Sequence, residues 1–233
     1  METVSELYSM LLDDSTTLTN EEIGKMRNLY RAAIVYVDGQ INRLIKSLES
    51  TGQLANTLIV LTSDHGELFG EHGQYGKPER MYDELIQVPL VVVNGPAEIS
   101  NATDDLVSLL DLPPMFHQAT DIGIPNEYEG QTVTSTTRDY IVSEHEVEGN
   151  PIVGVRSEDW LYEIDELRDE ARLTEIQTGH EIQSMTQAEK EAVADIKTAA
   201  ERRVDCIESD VGSSNEPHLE RDVESRLEDL GYR

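Results

Sequence analysis

The sequence predicts an α/β protein with a small antiparallel appendage, and three features carry that expectation. A long helical pattern runs into a short, unbroken, β-branched apolar run, TLIVLTS. A second such run, VPLVVV, follows beyond a glycine- and charge-rich stretch, and the last part of the chain changes to short alternating strands and capped helices. Continuous apolar strands of this type suit a parallel sheet buried on both faces. The expected division is a core over 1–138 and a small sheet with acidic loops and terminal helices over 139–233.

From Asn20, the apolar residues Ile23, Met26, Tyr30, Ile34, Val37, Ile41, Leu44, Ile45 and Leu48 recur at steps of three and four, which spells an amphipathic helix. Asn20 is the expected N-cap, Glu21 and Glu22 sit in the first turn, and Gly52 supplies the stop. After the two apolar runs, DLVSLLDLPPMFHQATDIGIP reads as a short strand and a helix, with Asp111 as N-cap and its prolines in the first turn. Strands are expected at about 139–144, 152–156 and 159–164, the last two joined by a tight Ser-Glu-Asp turn. The acidic segments 165–184 and 208–216 read as loops. Thr186 to Glu189 is a capping box that opens a helix to about Ile207, and a last helix is expected from about Pro217. Only about three strands are available to the parallel sheet, so an unpaired sheet edge and open apolar helix faces are expected, and with them self-association or a partner.

Charge narrows the function classes. The net charge of -29 is spread along the whole chain, and only five of the 18 basic residues are lysine. Such a surface suits a salt-rich cytoplasm, where screening shortens to about 3 Å at molar salt, although an acidic mesophilic protein would carry the same composition. No basic stripe exists to displace counterions, so nucleic acid is excluded as a partner. A single cysteine, Cys206, excludes an internal disulfide and a cysteine-based zinc cluster. No signal peptide or membrane-length apolar run occurs, so a cytoplasmic location without a membrane partner is the expectation, unless an export signal precedes Met1.

The stretch SDHGELFGEHGQYGKPER, residues 63–80, holds the chemistry. Ligands of open α/β sheets bind outside the carboxyl ends of strands, which is where Asp64 and His65 emerge. Once Gly66 lets the chain turn, a carboxylate and an imidazole can converge on one divalent cation; manganese, zinc, calcium and magnesium all remain open. Lys77, between Gly76 and Pro78, supplies a point charge for a sulfate or phosphate oxygen. His72, between Glu71 and Gly73, is a candidate donor to the same anion or to a leaving group. Each residue alone has a plainer reading, as a turn cap or a solvated charge; the argument is their combination at a strand exit. Arg80 with Glu84 and Tyr82 read as a helical pair and as packing, and His117, His145, His180 and His218 as structural. No G-x-S-x-G elbow surrounds Ser63, and no Walker or dinucleotide glycine motif occurs.

TLIVLTSDHGELFGEHGQYGK followed by YDELIQVPLVVV resembles the C-terminal metal and sulfate segment of the sulfatase family, within the alkaline phosphatase superfamily. LYRAAIVYVDGQINRLIKSLESTGQL is similar to that family's preceding helix, DLVSLLDLPPMFHQATDIGIP to its following strand and helix, and RLEDLGY to a common family ending. The resemblance covers roughly residues 20–165 and the extreme C-terminus, and it implies a partial alkaline-phosphatase-like parallel sheet with flanking helices. It further implies metal-dependent hydrolysis of sulfate esters. Asp64 and His65 would complete the coordination of one divalent ion, with calcium expected and manganese or magnesium open, and Lys77 would contact the sulfate; His72 falls in a G-E-H-G box of less uniform role. A phosphoester or phosphonate hydrolase of the same superfamily, and a non-catalytic metal-binding remnant, are the alternatives. The family's formylglycine arises from C/S-x-P-S-R, which this sequence lacks; Cys206 in VDCIESD cannot replace it. The chain is therefore expected to be inactive alone and to depend on a separate N-terminal half.

Overall fold

The computed structural model describes residues 18–95, 105–132, 138–147 and 149–211. The chain opens with α1 (Asn20–Ser50). Thr19, one residue ahead of the expected cap, accepts from the Glu22 N–H while the Glu22 carboxylate accepts from the Thr19 N–H at 2.7 Å, a reciprocal capping box. Gly52, at φ 68°, adopts the left-handed conformation that ends the helix.

A single 3-10 turn at Leu54–Asn56 leads into β1 (Ile59–Thr62). Next come the two-residue strands β2 (Leu68–Phe69) and β3 (Tyr75–Gly76), paired around a 3-10 turn at Glu71–Gly73. The short helix α2 (Asp83–Ile86) and β4 (Leu90–Val93) follow. Here the expected parallel sheet is corrected: β1 and β4 pair antiparallel, Thr62 opposite Leu90 and Ile59 opposite Val93. The reason is the connection. A parallel partner needs a crossover back to the start of the first strand. Here residues 63–89 stay at the far end, held by the Gly66 N–H donating to the Leu85 carbonyl at 2.8 Å. No parallel pair occurs among the described residues, and Val91 and Val93 stay exposed on β4.

The segment expected to begin with a strand at 105 has none among its described residues; a 3-10 turn at Leu109–Asp111 runs into α3 (Leu112–Ala119), which has prolines in its first turn. Asp111 does not cap that helix. Its fully buried carboxylate forms a two-pronged ion pair with Arg138, both bonds 2.7 Å, and accepts from the Gln131 N–H.

The C-terminal part is a five-stranded antiparallel meander of β5 (Tyr140–Val147), β6 (Asn150–Ser157), β7 (Trp160–Asp165), β8 (Glu170–Glu175) and β9 (His180–Glu181). The segment read as an acidic loop thus contains two strands. Two helices close the described chain: α4 (Gln187–Ala192), opened by the expected Thr186 box, and α5 (Ala194–Val211), separated by a break at Val193. Residues 212–216 and the helix expected from Pro217 lie outside the described residues.

Both faces of this sheet are covered. On one, Val153, Val155, Tyr162 and Leu173 pack against Val193, Ile196, Ala200 and Val204 of the terminal helices. Each of the valine, leucine and isoleucine side chains contributes about 1.5–3 kcal/mol when fully buried. On the other face Met81 lies against Gly154, where a Cβ would come 2.8 Å from the Met81 Cβ. That is why β6 is buried without alternation.

Candidate functional site

The turn after β1 is built from its own polar groups. Ser63 Oγ donates to the His65 carbonyl at 2.8 Å, and the His65 N–H donates to Asp64 Oδ1 at 3.0 Å. Gly66 is required by a close approach, because a Cβ there would lie 1.9 Å from the Glu84 carbonyl oxygen. His65 Nδ1 lies 2.8 Å from the Gly66 carbonyl, an oxygen that only accepts, so the ring proton sits on Nδ1 and Nε2 is the acceptor, facing the Lys77 ammonium. That Nε2 is 3.6 Å from Asp64 Oδ2 and 3.4 Å from Lys77 Nζ.

Three of the four sequence candidates therefore meet. Asp64, His65 and Lys77 line one cleft of about 1300 Å³, whose walls include Leu85, Leu90 and Val92 on one side and Ile141 and Val142 on the other. Partial burial works against the Asp64 carboxylate, but hydrogen bonds from the His65 N–H and the Ser63 hydroxyl help to hold its pKa below the ordinary value. Lys77 has no carboxylate partner among the described residues.

His72 is not in this group. It sits at φ 55° between the left-handed Gly70 and Gly73, and its Nε2 donates to Glu84 Oε2 at 2.9 Å. Its ring stacks on Tyr82 with centroids 4.1 Å apart. It faces a separate cavity of about 130 Å³ with Tyr82, Asp83 and Leu161. Glu84 thus pairs with His72 rather than Arg80, and Tyr82 is a stacking platform.

Sequence reasoning missed the groups behind Lys77. Arg80 reaches Asp165 at 2.9 Å, Glu170 at 3.0 Å and Glu163 at 3.2 Å. Glu163 also accepts from Arg172 at 2.7 Å and from the Met81 N–H at 2.6 Å. The only signal was arginine, which outnumbers lysine 13 to 5 in an otherwise acidic chain. At the other end of the cleft Arg203 pairs with Glu144, and that bond raises the guanidinium pKa further.

Comparison with known proteins bears on this arrangement. A family model described as Sulfatase matches residues 8–122. That match, just under half of the chain, makes this segment similar to the sulfatase family. Among curated relatives, arylsulfatase K of Xenopus laevis is 33% identical over 129 residues, covering 55% of this chain and 24% of the relative. The N-acetylglucosamine-6-O-sulfatase of Bacteroides thetaiotaomicron is 35% identical over 105 residues, 45% of this chain and 19% of the relative. In fold, the chain is similar to a 2-O GAG sulfatase, with a TM-score of 0.68 at 20% identity over 84% of this chain and 46% of that one. It is also similar to a phosphonate monoester hydrolase of Silicibacter pomeroyi, with a TM-score of 0.64 at 22% identity over 81% and 42%. The chain thus spans a quarter or less of the length of these curated relatives and under half of the solved ones.

Sulfatases generally use a divalent metal ion and a formylglycine. A carboxylate held ionised beside an imidazole with an unprotonated Nε2 is a fitting pair of donors for such an ion. Among the described residues no group of three or more His, Cys, Asp or Glu is placed to hold one.

Proposed function

We propose that this chain supplies the metal- and oxyanion-holding wall of a sulfate-ester hydrolase. The observation that carries the reading is the meeting of Asp64, His65 and Lys77 at the exit of β1, with His65 Nε2 lying 3.6 Å from Asp64 and 3.4 Å from Lys77, on one open cleft. Asp64 and His65 hold the ion, with calcium the proposed metal; when bound, it supplies positive charge that stabilises the oxygens of the ester. Lys77 binds one of those oxygens as a point charge in a chain whose acidic surface otherwise repels anions. The nucleophile is proposed to come from a separate N-terminal sulfatase segment, since C/S-x-P-S-R does not occur in this sequence. Exposed Ile34, Val37 and Leu44 on α1, with Val91 and Val93 on β4, are the apolar surface proposed to meet that segment or a second copy. A salt-rich cytoplasm is the proposed location, on the spread acidic charge alone.

A second reading, hydrolysis of a phosphoester or phosphonate, is favoured by the shared fold with a phosphonate monoester hydrolase. A third reading is a remnant that binds metal without turnover. Purified chain, alone and co-expressed with a polypeptide bearing C/S-x-P-S-R, is assayed on aryl sulfate and aryl phosphate with calcium or manganese. The sulfatase reading expects sulfate-ester turnover only in the co-expressed form, abolished by Lys77→Ala. Turnover of phosphate alone supports the second reading. Calcium binding without turnover in either form supports the third.

A further inference from the structure

Two carboxylates of β7, Glu163 and Asp165, are almost wholly buried, at 2% and 0% exposure, and nothing in the proposed chemistry uses them. Their partners come from the segment just after Lys77. Arg80 threads between Asp165 and Glu163, with Glu170 on its outer side. The Met81 N–H donates to Glu163, while Arg168, itself bonded to Asp165 at 2.8 Å, donates to the Glu79 carbonyl at 3.3 Å. Three consecutive residues, Glu79, Arg80 and Met81, are thus fastened to one face of the sheet. On the other side of Lys77, Gly76 is paired with Leu68 across the β2–β3 ribbon. Lys77 and Pro78 form a short bridge between two fixed points.

We propose that Glu163 and Asp165 are positioning residues: through Arg80 and Met81 they hold the backbone at Lys77 so that its ammonium faces His65 and Asp64, which makes the C-terminal sheet part of the oxyanion site. The inference rests on the proposed oxyanion role of Lys77. The physical ground is that a buried ion-pair cluster is a poor source of net stability, because desolvation offsets most of the attraction, whereas it fixes geometry in a way that apolar packing does not. A lysine side chain gains grip only when its backbone is held, and small misplacements of a binding group are expensive.

The test uses the full chain and inorganic sulfate at low ionic strength, read by amide chemical shifts at Gly76 and Lys77, with thermal unfolding followed in parallel. Wild type is expected to bind saturably and Lys77→Ala to lose binding. Glu163→Gln and Asp165→Asn are expected to bind about tenfold more weakly at a temperature where each remains folded. Because loss of a buried carboxylate can unfold the sheet, Arg80→Gln approaches the same contact from the loop side, and Arg80→Lys should recover part of the affinity. A role in stability alone would lower the unfolding midpoint and leave sulfate affinity unchanged. Folded Arg80→Gln, Glu163→Gln or Asp165→Asn protein that binds like wild type overturns this inference and leaves the oxyanion reading intact. Wild type with no saturable response overturns that reading, and this inference with it.

Discussion

Gly66 lets the site exist. Its N–H is bonded to the Leu85 carbonyl, and the space where a side chain would start is filled by the Glu84 carbonyl oxygen at 1.9 Å. An alanine there forces the backbone apart in a packed turn, so Gly66→Ala is expected to destabilise by about 1–3 kcal/mol in denaturant unfolding, and to shift the Asp64 and His65 amide resonances. Asp111 gives a second measure at this scale. Its carboxylate, fully buried, is matched by both prongs of Arg138, a half-buried group. Asp111→Asn leaves that guanidinium with an uncharged partner in a site shaped for a carboxylate, and equilibrium unfolding should register a loss of about 3–5 kcal/mol. That Asp64, His65 and Lys77 lie together was legible because strand, turn and lysine are close in sequence. The place of His72 was not. It depends on Glu84 and Tyr82, twelve and ten residues away, which a short helix turns back toward it.

Elements with a local signal were legible, and elements stabilised across strands were not. The Thr186–Glu189 box is the clearest local signal: its threonine hydroxyl and glutamate carboxylate satisfy N–H groups at 3.3 Å and 2.6 Å. Thr186→Ala should cost about 1 kcal/mol, visible as a lower unfolding midpoint. By contrast β8, EARLTE, offers only Leu173 to the core on the helix side, and its Arg172 looks solvated in sequence. In the fold Arg172 sits directly opposite Glu163 and passes over Tyr82 at 5.1 Å, so the acidic run is half of a cross-strand ion pair. The strand direction of β4 was invisible for a related reason: an apolar run fixes burial, while the connection between strands fixes whether they run parallel. On α1 the repeat marked a stripe from Ile23 to Leu48, yet only Met26 is buried, and Ile34, Val35, Tyr36 and Val37 are exposed on successive faces. A helix apolar on several sides is one that larger proteins enclose.

At the scale of the whole molecule, two charge effects oppose each other. With a net charge of -29, the folded chain repels itself, and that repulsion falls as carboxylates protonate or as salt shortens the screening length from about 10 Å at 0.1 M to about 3 Å at 1 M. Against it stand carboxylates whose charged form the fold prefers. Hydrogen bonds from Thr19 hold the Glu22 pKa down, and those from Thr186 do the same for Glu189. At Glu71 burial pushes the pKa up, but the Phe69 N–H and Arg27 outweigh it and the net shift is downward. A group with a depressed folded pKa contributes stability above its unfolded value, about 4.3 for glutamate, and loses it as pH falls through the folded value. Relief of repulsion acts in the opposite direction and begins at higher pH. In 0.1 M salt, the unfolding midpoint should therefore rise as pH is lowered from 7 and then fall below about pH 4.3. In 1 M salt the rise should flatten while the acid fall persists, because the hydrogen bonds at Thr19, Phe69 and Thr186 act at contact distance, where salt screens little. Midpoints measured across pH at both salt concentrations check this. A midpoint at pH 7 that drops between 0.1 M and 1 M salt would mean that exposed ion pairs such as Lys25–Glu21 and Lys197–Glu201 outweigh the self-repulsion of the acidic surface.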